Sequence, residues 1–258
     1  MIIVILNYHH CSCEYCANIM NLINIDGGQI NFSDFKLIIP SVSVGNVPQL
    51  TVDLLITTFD FKRVSTIWHP AILSSIGSDP YYSNISEIYT ACELYINEEL
   101  KLATIQIRST VENKLAVKFF NDLRGLVQHL NFKHTFILSS AFDYELHNVL
   151  SEKFYFVSTS ENNEVMEINH IKPLQPALNG KYCLNGGGFA VKLFQTLQQT
   201  LSCTLLIKYV SEGDNRPDAV MMLQRLFAVL GTAEIPQRIK CPSSWQFVFG
   251  GPPPLGIY

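Results

Sequence analysis

The 258-residue chain has few charged residues. Only 16% are Asp, Glu, Lys or Arg, and the acids outnumber the bases by 22 to 18. The resulting net charge of −4 lacks the basic excess that favours binding to nucleic acid or to an anionic membrane surface. Apolar side chains make up 48% of the chain, which is enough for a sizeable core. We expect a partner to cover part of this apolar surplus.

The sequence also lacks long apolar runs. No stretch reaches about 18 apolar residues, so it predicts no membrane-spanning helix. Residues 1–6 are apolar but too few for a signal-peptide core, and no basic region precedes them. We therefore expect an intracellular protein. The seven cysteines are an odd number, which favours reduced thiols over a disulfide framework. Four of them are scattered: Cys92, Cys183, Cys203 and Cys241.

Metal-ligand patterns are weak as well. One cluster of histidine and cysteine occurs at residues 9–16, with the spacing C-x-C-x-x-C. That spacing matches no standard zinc finger, and no second pair of ligands follows it. We therefore predict no metal and no cofactor. Residues 1–30 are expected to form an N-terminal extension, either disordered or not translated. A single α/β domain over 31–240 and a tail over 241–258 are expected to follow.

Apolar runs of strand length alternate with helical patterns from residue 35 onward. Residues 37–44 and 203–210 are mostly apolar runs, as in buried parallel strands, and residues 112–130 carry an apolar stripe at helical spacing. This alternation predicts an α/β fold, a mostly parallel sheet with helices on both faces. Strand patterns at 88–96 and 102–107 predict an antiparallel hairpin at a sheet edge or beyond the core.

Two strand-to-helix turns are built alike: each has a glycine, an asparagine, one residue and a proline, with a polar residue three positions after the asparagine, and in the second turn Asp214 separates the glycine from the asparagine. Glycine permits φ > 0, and proline suits the first helical turn. In the second turn we predict an asparagine N-cap and an aspartate that completes a capping box and favours the helix dipole. The residues are Gly45, Asn46 and Pro48 in the first turn and Gly213, Asp214, Asn215, Pro217 and Asp218 in the second.

The same turns lie where parallel sheets bind ligands, at the carboxyl ends of strands. Glu212, Asp214 and Asp218 could serve as acids there, and Gly186–Gly188 could cradle a phosphate. The glycine run lacks the lysine of a P-loop, and the nearby carboxylates would repel a phosphate. We therefore predict turn architecture and recognition, with no catalytic residue. The alternative is an orphan nucleoside- or phosphate-processing hydrolase with its site at the Gly–Asn turns.

The end of the chain has the features of a docking peptide. A triplet of prolines, 252–254, favours an extended spacer. Apolar residues then precede the terminal carboxylate, an arrangement that can bind a pocket as a C-terminal peptide. They are Leu255, Ile257 and Tyr258.

Five stretches together resemble the proteasome assembly chaperone 2 family, in family order from about residue 35 to the end. The block SEGDNRPDA is the most specific of them. The stretches are PSVSVGNVPQLTVDLLI at 40–56, IGSDPY at 76–81, QIRS at 106–109, VSEGDNRPDA at 210–219 and PSSWQFVFG at 242–250.

The resemblance implies a chaperone rather than an enzyme, with a fold like that of nucleoside phosphorylases. It implies a heterodimer with proteasome assembly chaperone 1 that binds the outer face of the 20S proteasome α-ring. Such a pair promotes assembly of α-subunits and blocks off-pathway dimerisation of α-rings, in the cytoplasm and nucleus. Neither nucleic acid nor a membrane is implied as a partner.

The resemblance also implies roles for particular residues. Leu255, Ile257 and Tyr258 would enter pockets between neighbouring α-subunits, and the carboxylate would pair with a pocket lysine. The family pattern places tyrosine one position before the end, whereas Tyr258 is terminal, so the register of docking differs here. Exposed apolar residues on the hairpin or near the Gly–Asn turns are the candidates for the heterodimer surface.

Overall fold

The computed structural model describes residues 20–24, 30–82, 87–146, 153–160, 163–231 and 236–247. The strands are β1 Asn21–Asn24, β2 Lys36–Pro40, β3 Lys62–Trp68, β4 Ile76–Gly77, β5 Tyr89–Thr90, β6 Cys92–Asn97, β7 Leu102–Ile107, β8 His134–Phe142, β9 Phe154–Ser158, β10 Lys172–Pro173 and β11 Cys203–Val210. The helices are α1 Val47–Thr58, α2 Ala116–Leu130, α3 Asn163–Ile168, α4 Ala190–Leu197 and α5 Arg216–Leu230. None of these helices is long and apolar enough to cross a membrane.

Nine of these strands form one sheet in the order β1-β3-β6-β7-β2-β8-β11-β9-β10. The centre is parallel, because β7, β2, β8 and β11 all run in one direction. Antiparallel strands flank it, with β1, β3 and β6 on one side and β9 on the other. The predicted α/β class is confirmed. The predicted hairpin exists as β6 and β7, but its position at an edge was wrong, since β3 and β1 lie outside it.

Helices cover both faces of the sheet. Helices α1 and α5 pack together on one face and α2 and α4 on the other. Neighbouring residues of β2 show the division, since Leu37 and Ile39 face the α2–α4 side and Ile38 faces the α1–α5 side. Successive side chains of a strand point to opposite faces, so a strand covered on both faces is apolar at every position. The continuous apolar runs in the sequence have this cause.

The ends of the folded domain differ from the predicted boundaries. Met20 is buried, and residues 21–24 form β1, which pairs with β3. These residues were assigned to an N-terminal extension but belong to the sheet. Residues assigned to the tail are also packed, because Trp245 is buried in the cluster on the α1–α5 face. Residues 1–19 and 248–258 lie outside the described part of the chain.

Candidate functional site: the edge where the parallel strands end

The two Gly–Asn turns are in direct contact at this edge. Gly45 has φ of +65° and Asn46 has φ of +51°, and the two lead directly into α1. A Cβ atom added to Gly45 would lie 2.7 Å from Cγ of Asn215 in the other turn, closer than real side chains pack. Glycine is required at position 45 both for its backbone angle and for this close approach. The two turns therefore form one structural unit.

The second turn is stabilised differently from the predicted capping box. Asn215 occupies the N-cap position of α5, but its side chain makes no capping hydrogen bond. Its Nδ2 atom donates instead to the carbonyl oxygen of Gly213, at 3.2 Å. The first free N–H group of the helix, on Arg216, donates to Oδ1 of Asp214 at 3.1 Å. Pro217 lies in the first helical turn, where its missing N–H costs nothing.

Asp218 forms an ion pair with a buried lysine rather than a capping box. Its Oδ1 atom lies 2.8 Å from Nζ of Lys208 on β11. The Lys208 side chain is only 2% exposed, and its ammonium also lies 5.0 Å from the ring centroid of Phe154. A buried ammonium group requires a counter-charge, which Asp218 supplies. The pair ties the start of α5 to the centre of the sheet.

The remaining acidic side chains of the second turn face solvent and are not arranged for catalysis. Glu212 and Asp214 are exposed. Hydrogen bonds from the side chain and the backbone of Arg216 hold the pKa of Asp214 below its ordinary value. Asp214 is therefore ionised at neutral pH and is a poor general acid.

The glycine run fills the crevice that a ligand would need. The hydroxyl groups of Ser41, directly after β2, and Ser139, within β8, both donate to the carbonyl oxygen of Gly187 at 3.1 Å. The N–H group of Val44 donates to Gly186 O at 2.8 Å, and a Cβ atom on Gly188 would collide with Val42 O. The loop thus presents carbonyl oxygens to the strand ends, not the N–H groups of a phosphate cradle.

A buried polar network beside these turns was missed by the sequence analysis. Its centre is Asp53, which is 5% exposed on the almost wholly buried helix α1. Oδ1 of Asp53 accepts hydrogen bonds from Nη2 of Arg108 at 2.7 Å, Nε2 of Gln106 at 2.7 Å and the hydroxyl of Tyr81 at 3.2 Å. Arg108 also donates to the Tyr81 hydroxyl, at 2.8 Å. The one sequence feature that could have indicated this network is Asp53, a single acidic residue within the mostly apolar helix α1.

The electrostatics of this network are self-consistent. Burial raises the pKa of Tyr81 well above its ordinary value, and the charge of Asp53 raises it further. Tyr81 therefore stays protonated and can donate to Asp53. Burial disfavours the charge on Arg108, but Asp53 and Tyr81 outweigh that effect and raise its pKa. Within the network, Tyr81 is therefore a neutral donor and Arg108 a charged one.

A second ion cluster fixes the neighbouring chain segment. The Arg63 guanidinium donates to Oε1 of Glu93 at 2.9 Å, Oε2 of Glu87 at 2.8 Å and the carbonyl oxygen of Ile88 at 2.7 Å. It also stacks over the ring of Tyr89, 3.9 Å from the centroid. Glu93 is 1% exposed, and Arg63 pairs with its side chain at this buried position.

A shallow pocket of about 140 Å³ lies between these two clusters. The loop 75–80 forms one wall, and Tyr89, Thr90 and Arg108 form the other. Its surroundings are apolar, since Leu73, Ile76 and Ile88 are all more than 60% exposed nearby in the chain. This combination of a rigid charged base and an apolar rim suits recognition of another protein.

The base of the C-terminal tail is fixed to the same loop. N–H groups of Ser243 and Ser244 donate to the carbonyl oxygens of Tyr81 and Pro80, at 3.2 and 3.1 Å. The hydroxyl of Thr57 donates to the carbonyl oxygen of Lys240 at 2.6 Å. Whatever follows residue 247 therefore starts from a defined point beside the pocket. The predicted docking residues Leu255, Ile257 and Tyr258 lie outside the described residues.

The histidine and cysteine cluster at 9–16 also lies outside the described residues. Over the ranges that the structure covers, no group of three or more His, Cys, Asp or Glu side chains is arranged to hold a metal ion.

Comparison with known proteins identifies the family. The model of the PAC2 family matches residues 37–236. Proteasome assembly chaperone 2 of Xenopus tropicalis is 30% identical over 253 residues, which cover 88% of this chain and 95% of that protein. The protein of the same name from Danio rerio is 31% identical over 250 residues, covering 87% and 95%.

Solved structures share the fold at low sequence identity. Pyrococcus furiosus PbaA, described as an archaeal homolog of proteasome-assembly chaperone, aligns with a TM-score of 0.63 at 14% identity, over 83% of this chain and 87% of PbaA. PbaB from the same organism, described as an archaeal proteasome activator, aligns with a TM-score of 0.59 at 13% identity, over 84% and 91%. The match of the family model and the identity to the curated relatives confirm the predicted resemblance: the chain belongs to the PAC2 family.

Proposed function

We propose that this chain is a proteasome assembly chaperone. It pairs with proteasome assembly chaperone 1, and the heterodimer binds the outer face of the 20S α-ring in the cytoplasm and nucleus. There it promotes assembly of α-subunits and blocks off-pathway dimerisation of α-rings. The observation that carries the proposal is the match along nearly the whole length of relatives named proteasome assembly chaperone 2.

The geometry of the strand ends supports a binding role without turnover. In an open α/β sheet a ligand binds beyond the carboxyl ends of the strands. Here Gly186–Gly188 occupy that position, and the hydroxyls of Ser41 and Ser139 are engaged with Gly187. Of the nearest acidic side chains, Asp214 accepts hydrogen bonds from Arg216 and Glu212 is exposed to water. These contacts favour a scaffold over a hydrolase.

The fixed start of the tail supports docking of the last residues. The backbone bonds of Ser243 and Ser244 hold the tail base to one point on the domain. Eleven residues follow residue 247, and an extended chain spans about 3.3 Å per residue. Leu255, Ile257 and Tyr258 can therefore reach a pocket roughly 30 Å away while the domain rests on the ring surface.

Affinity purification of the tagged full-length chain, followed by mass spectrometry, tests the proposal. We expect proteasome α-subunits and the first assembly chaperone to dominate the co-purified proteins. Recovery of neither would contradict it. In parallel, the melting temperature of the purified chain should be unchanged by nucleosides and inorganic phosphate. A saturable rise in melting temperature would instead support the hydrolase alternative.

A further inference from the structure

The tail base, which we define as residues 240–247, is attached to the domain at both ends. At its start, the carbonyl oxygen of Lys240 accepts from the hydroxyl of Thr57 at 2.6 Å, and its N–H donates to the hydroxyl of Thr58 at 3.1 Å. Near its end, Trp245 is 8% exposed and packs in the hydrophobic cluster on the α1–α5 face. The segment between these two attachments is held by a third contact.

A neighbouring loop supplies that contact with its carbonyl oxygens, and we call this loop, residues 79–81, the clamp. The N–H of Ser243 donates to the carbonyl oxygen of Tyr81 at 3.2 Å. The N–H of Ser244 donates to that of Pro80 at 3.1 Å. Ser243 begins a short 3₁₀ helix, and the first N–H groups of a helix have no partner within it. The clamp therefore satisfies N–H groups that the tail base cannot pair by itself.

Tyr81 fixes the clamp to the interior of the domain. Its side chain is buried, and its hydroxyl donates to Oδ1 of Asp53 at 3.2 Å and accepts from Arg108 at 2.8 Å. Its backbone N–H donates to Oδ1 of Asp79 at 2.8 Å, which holds the turn of the loop. Asp53 and Arg108 are themselves paired at 2.7 Å. One residue therefore joins the buried network, through its hydroxyl, to the tail base, through its carbonyl oxygen.

The clamp shortens the tether that carries the docking residues Leu255, Ile257 and Tyr258. Eleven residues, 248–258, follow the tail base. If the tail base kept only its contacts with α1, the tether would lengthen to eighteen residues, 241–258. The effective concentration of a tethered group falls with roughly the −3/2 power of the tether length. The clamp therefore raises the effective concentration of the docking residues about twofold.

We propose that Tyr81 is a positioning residue for the C-terminal tail. Its hydroxyl, held by Asp53 and Arg108, keeps the clamp where its carbonyl oxygens reach the tail base. The clamp in turn sets the point from which the last residues of the chain reach the proteasome α-ring. This inference rests on the proposed docking of the tail and adds the contacts that position it.

Two substitutions loosen the clamp from its two sides. Tyr81→Phe removes the hydroxyl and keeps the packed ring, and its control is Tyr209→Phe, at a buried tyrosine of β11 outside the network. Ser243→Pro removes the N–H that bonds Tyr81, at the first position of the 3₁₀ helix, where proline fits. Ser243→Ala keeps that N–H, so it should lose far less than Ser243→Pro. Circular dichroism and thermal melting verify that each variant is folded.

Trp245 reports directly on the tail base. The chain has two tryptophans, and Trp68→Phe replaces the other one, which is half-exposed on β3. In this background we expect Tyr81→Phe and Ser243→Pro to move the emission of Trp245 to longer wavelength and to increase its quenching by acrylamide, because the indole becomes more exposed. Tyr209→Phe should leave both unchanged.

Titration of purified 20S proteasome with the chain and its partner chaperone measures docking. We expect Tyr81→Phe and Ser243→Pro to weaken binding about twofold, the effect of the longer tether. In chains that end at residue 254 the same substitutions should weaken binding no further, since no docking residues remain to be positioned. A general loss of structure would instead weaken binding equally in both lengths of chain.

Each other outcome counts against a specific claim. If truncation after residue 254 weakens binding but Tyr81→Phe changes neither the emission of Trp245 nor binding, the positioning role is wrong and the docking of the tail stands. Equal weakening in both lengths of chain would also overturn the positioning role. If truncation leaves binding unchanged, the proposed docking fails, and the positioning role fails with it.

Discussion

The side chain of Asn215 occupies the space in which any residue larger than glycine at position 45 would place its Cβ atom, 2.7 Å from Cγ of Asn215. Two turns that are far apart in sequence are thereby locked together at one edge of the sheet. The contact also joins α1 to α5, the two helices that these turns begin.

Gly45→Ala should therefore destabilise the fold for two reasons. Alanine at φ of +65° costs about 1 kcal/mol or more in backbone strain, and its methyl group overlaps Asn215. Gly231→Ala is the matched control, since Gly231 has φ of +61° and open space around it. We expect Gly45→Ala to lose about 1 kcal/mol more than this control in urea unfolding.

Adding Asn215→Ala to Gly45→Ala should recover part of the loss, because the overlapping group is gone. Equal stability of the Gly45 and Gly231 variants would contradict the close contact. A double variant with simply additive losses would contradict it as well.

The Lys208–Asp218 pair predicts an asymmetric response to mutation. Asp218→Asn leaves the Lys208 ammonium buried without a counter-charge, and we expect a loss of about 3 kcal/mol. Combining it with Lys208→Met removes the buried charge and should restore much of that loss. Glu212→Gln, an exposed acid in the same turn, is the control and should change stability little. Urea unfolding at pH 7 measures the stability of all of these variants. If Asp218→Asn alone lost no more stability than Glu212→Gln, the Lys208–Asp218 ion pair would not stabilise the fold as proposed.

The central strands of the sheet could be predicted because each is marked by a local run of apolar residues. The strands β2 and β11 are apolar at nearly every position, which occurs when helices cover both faces. Strand β1 was missed because four residues, Asn-Leu-Ile-Asn, form no distinctive pattern. Its existence depends on pairing with β3, which is a tertiary effect. The edge position of the hairpin was wrong for the same reason.

The candidate site was only partly predictable. The positions of Gly45 and Pro217 follow from local backbone rules, and the structure places them in the expected turns. The roles of Asn215 and Asp218 do not follow, because Gly213 and Lys208 compete for their side chains. The network of Asp53, Tyr81 and Arg108 joins segments more than 25 residues apart, so no local pattern could reveal it.

Two imidazoles, buried His69 and partly buried His134, predict how stability depends on pH. Burial, with a smaller contribution from the charge of Lys36, lowers the pKa of His134 to about 4, and burial also lowers the pKa of His69. An unfolded histidine has a pKa of about 6.5. Between pH 6.5 and 4 the unfolded chain therefore binds more protons than the folded chain, and stability falls as the pH falls. Above pH 6.5 this contribution is fully present.

His134→Gln should flatten the pH dependence of the unfolding free energy between pH 6.5 and 4. The His134 ring lies 2.8 Å from the hydroxyl of Ser202 and 3.0 Å from that of Thr204, so the variant also loses some stability at pH 7. The informative quantity is the slope against pH rather than the absolute value. An unchanged slope would show that the pKa of His134 is the same in the folded and unfolded chains.

Removal of Leu255–Tyr258 separates the two proposed interfaces. The tail base is bonded to Pro80 and Tyr81, and Trp245 is buried, so a truncation after residue 254 keeps the contacts that hold the tail base to the domain. We expect the truncated chain to lose affinity for α-subunits while it keeps its partner chaperone, as measured by co-purification from the same cells. Unchanged recovery of α-subunits after truncation would exclude a role for Leu255, Ile257 and Tyr258 in docking to the ring.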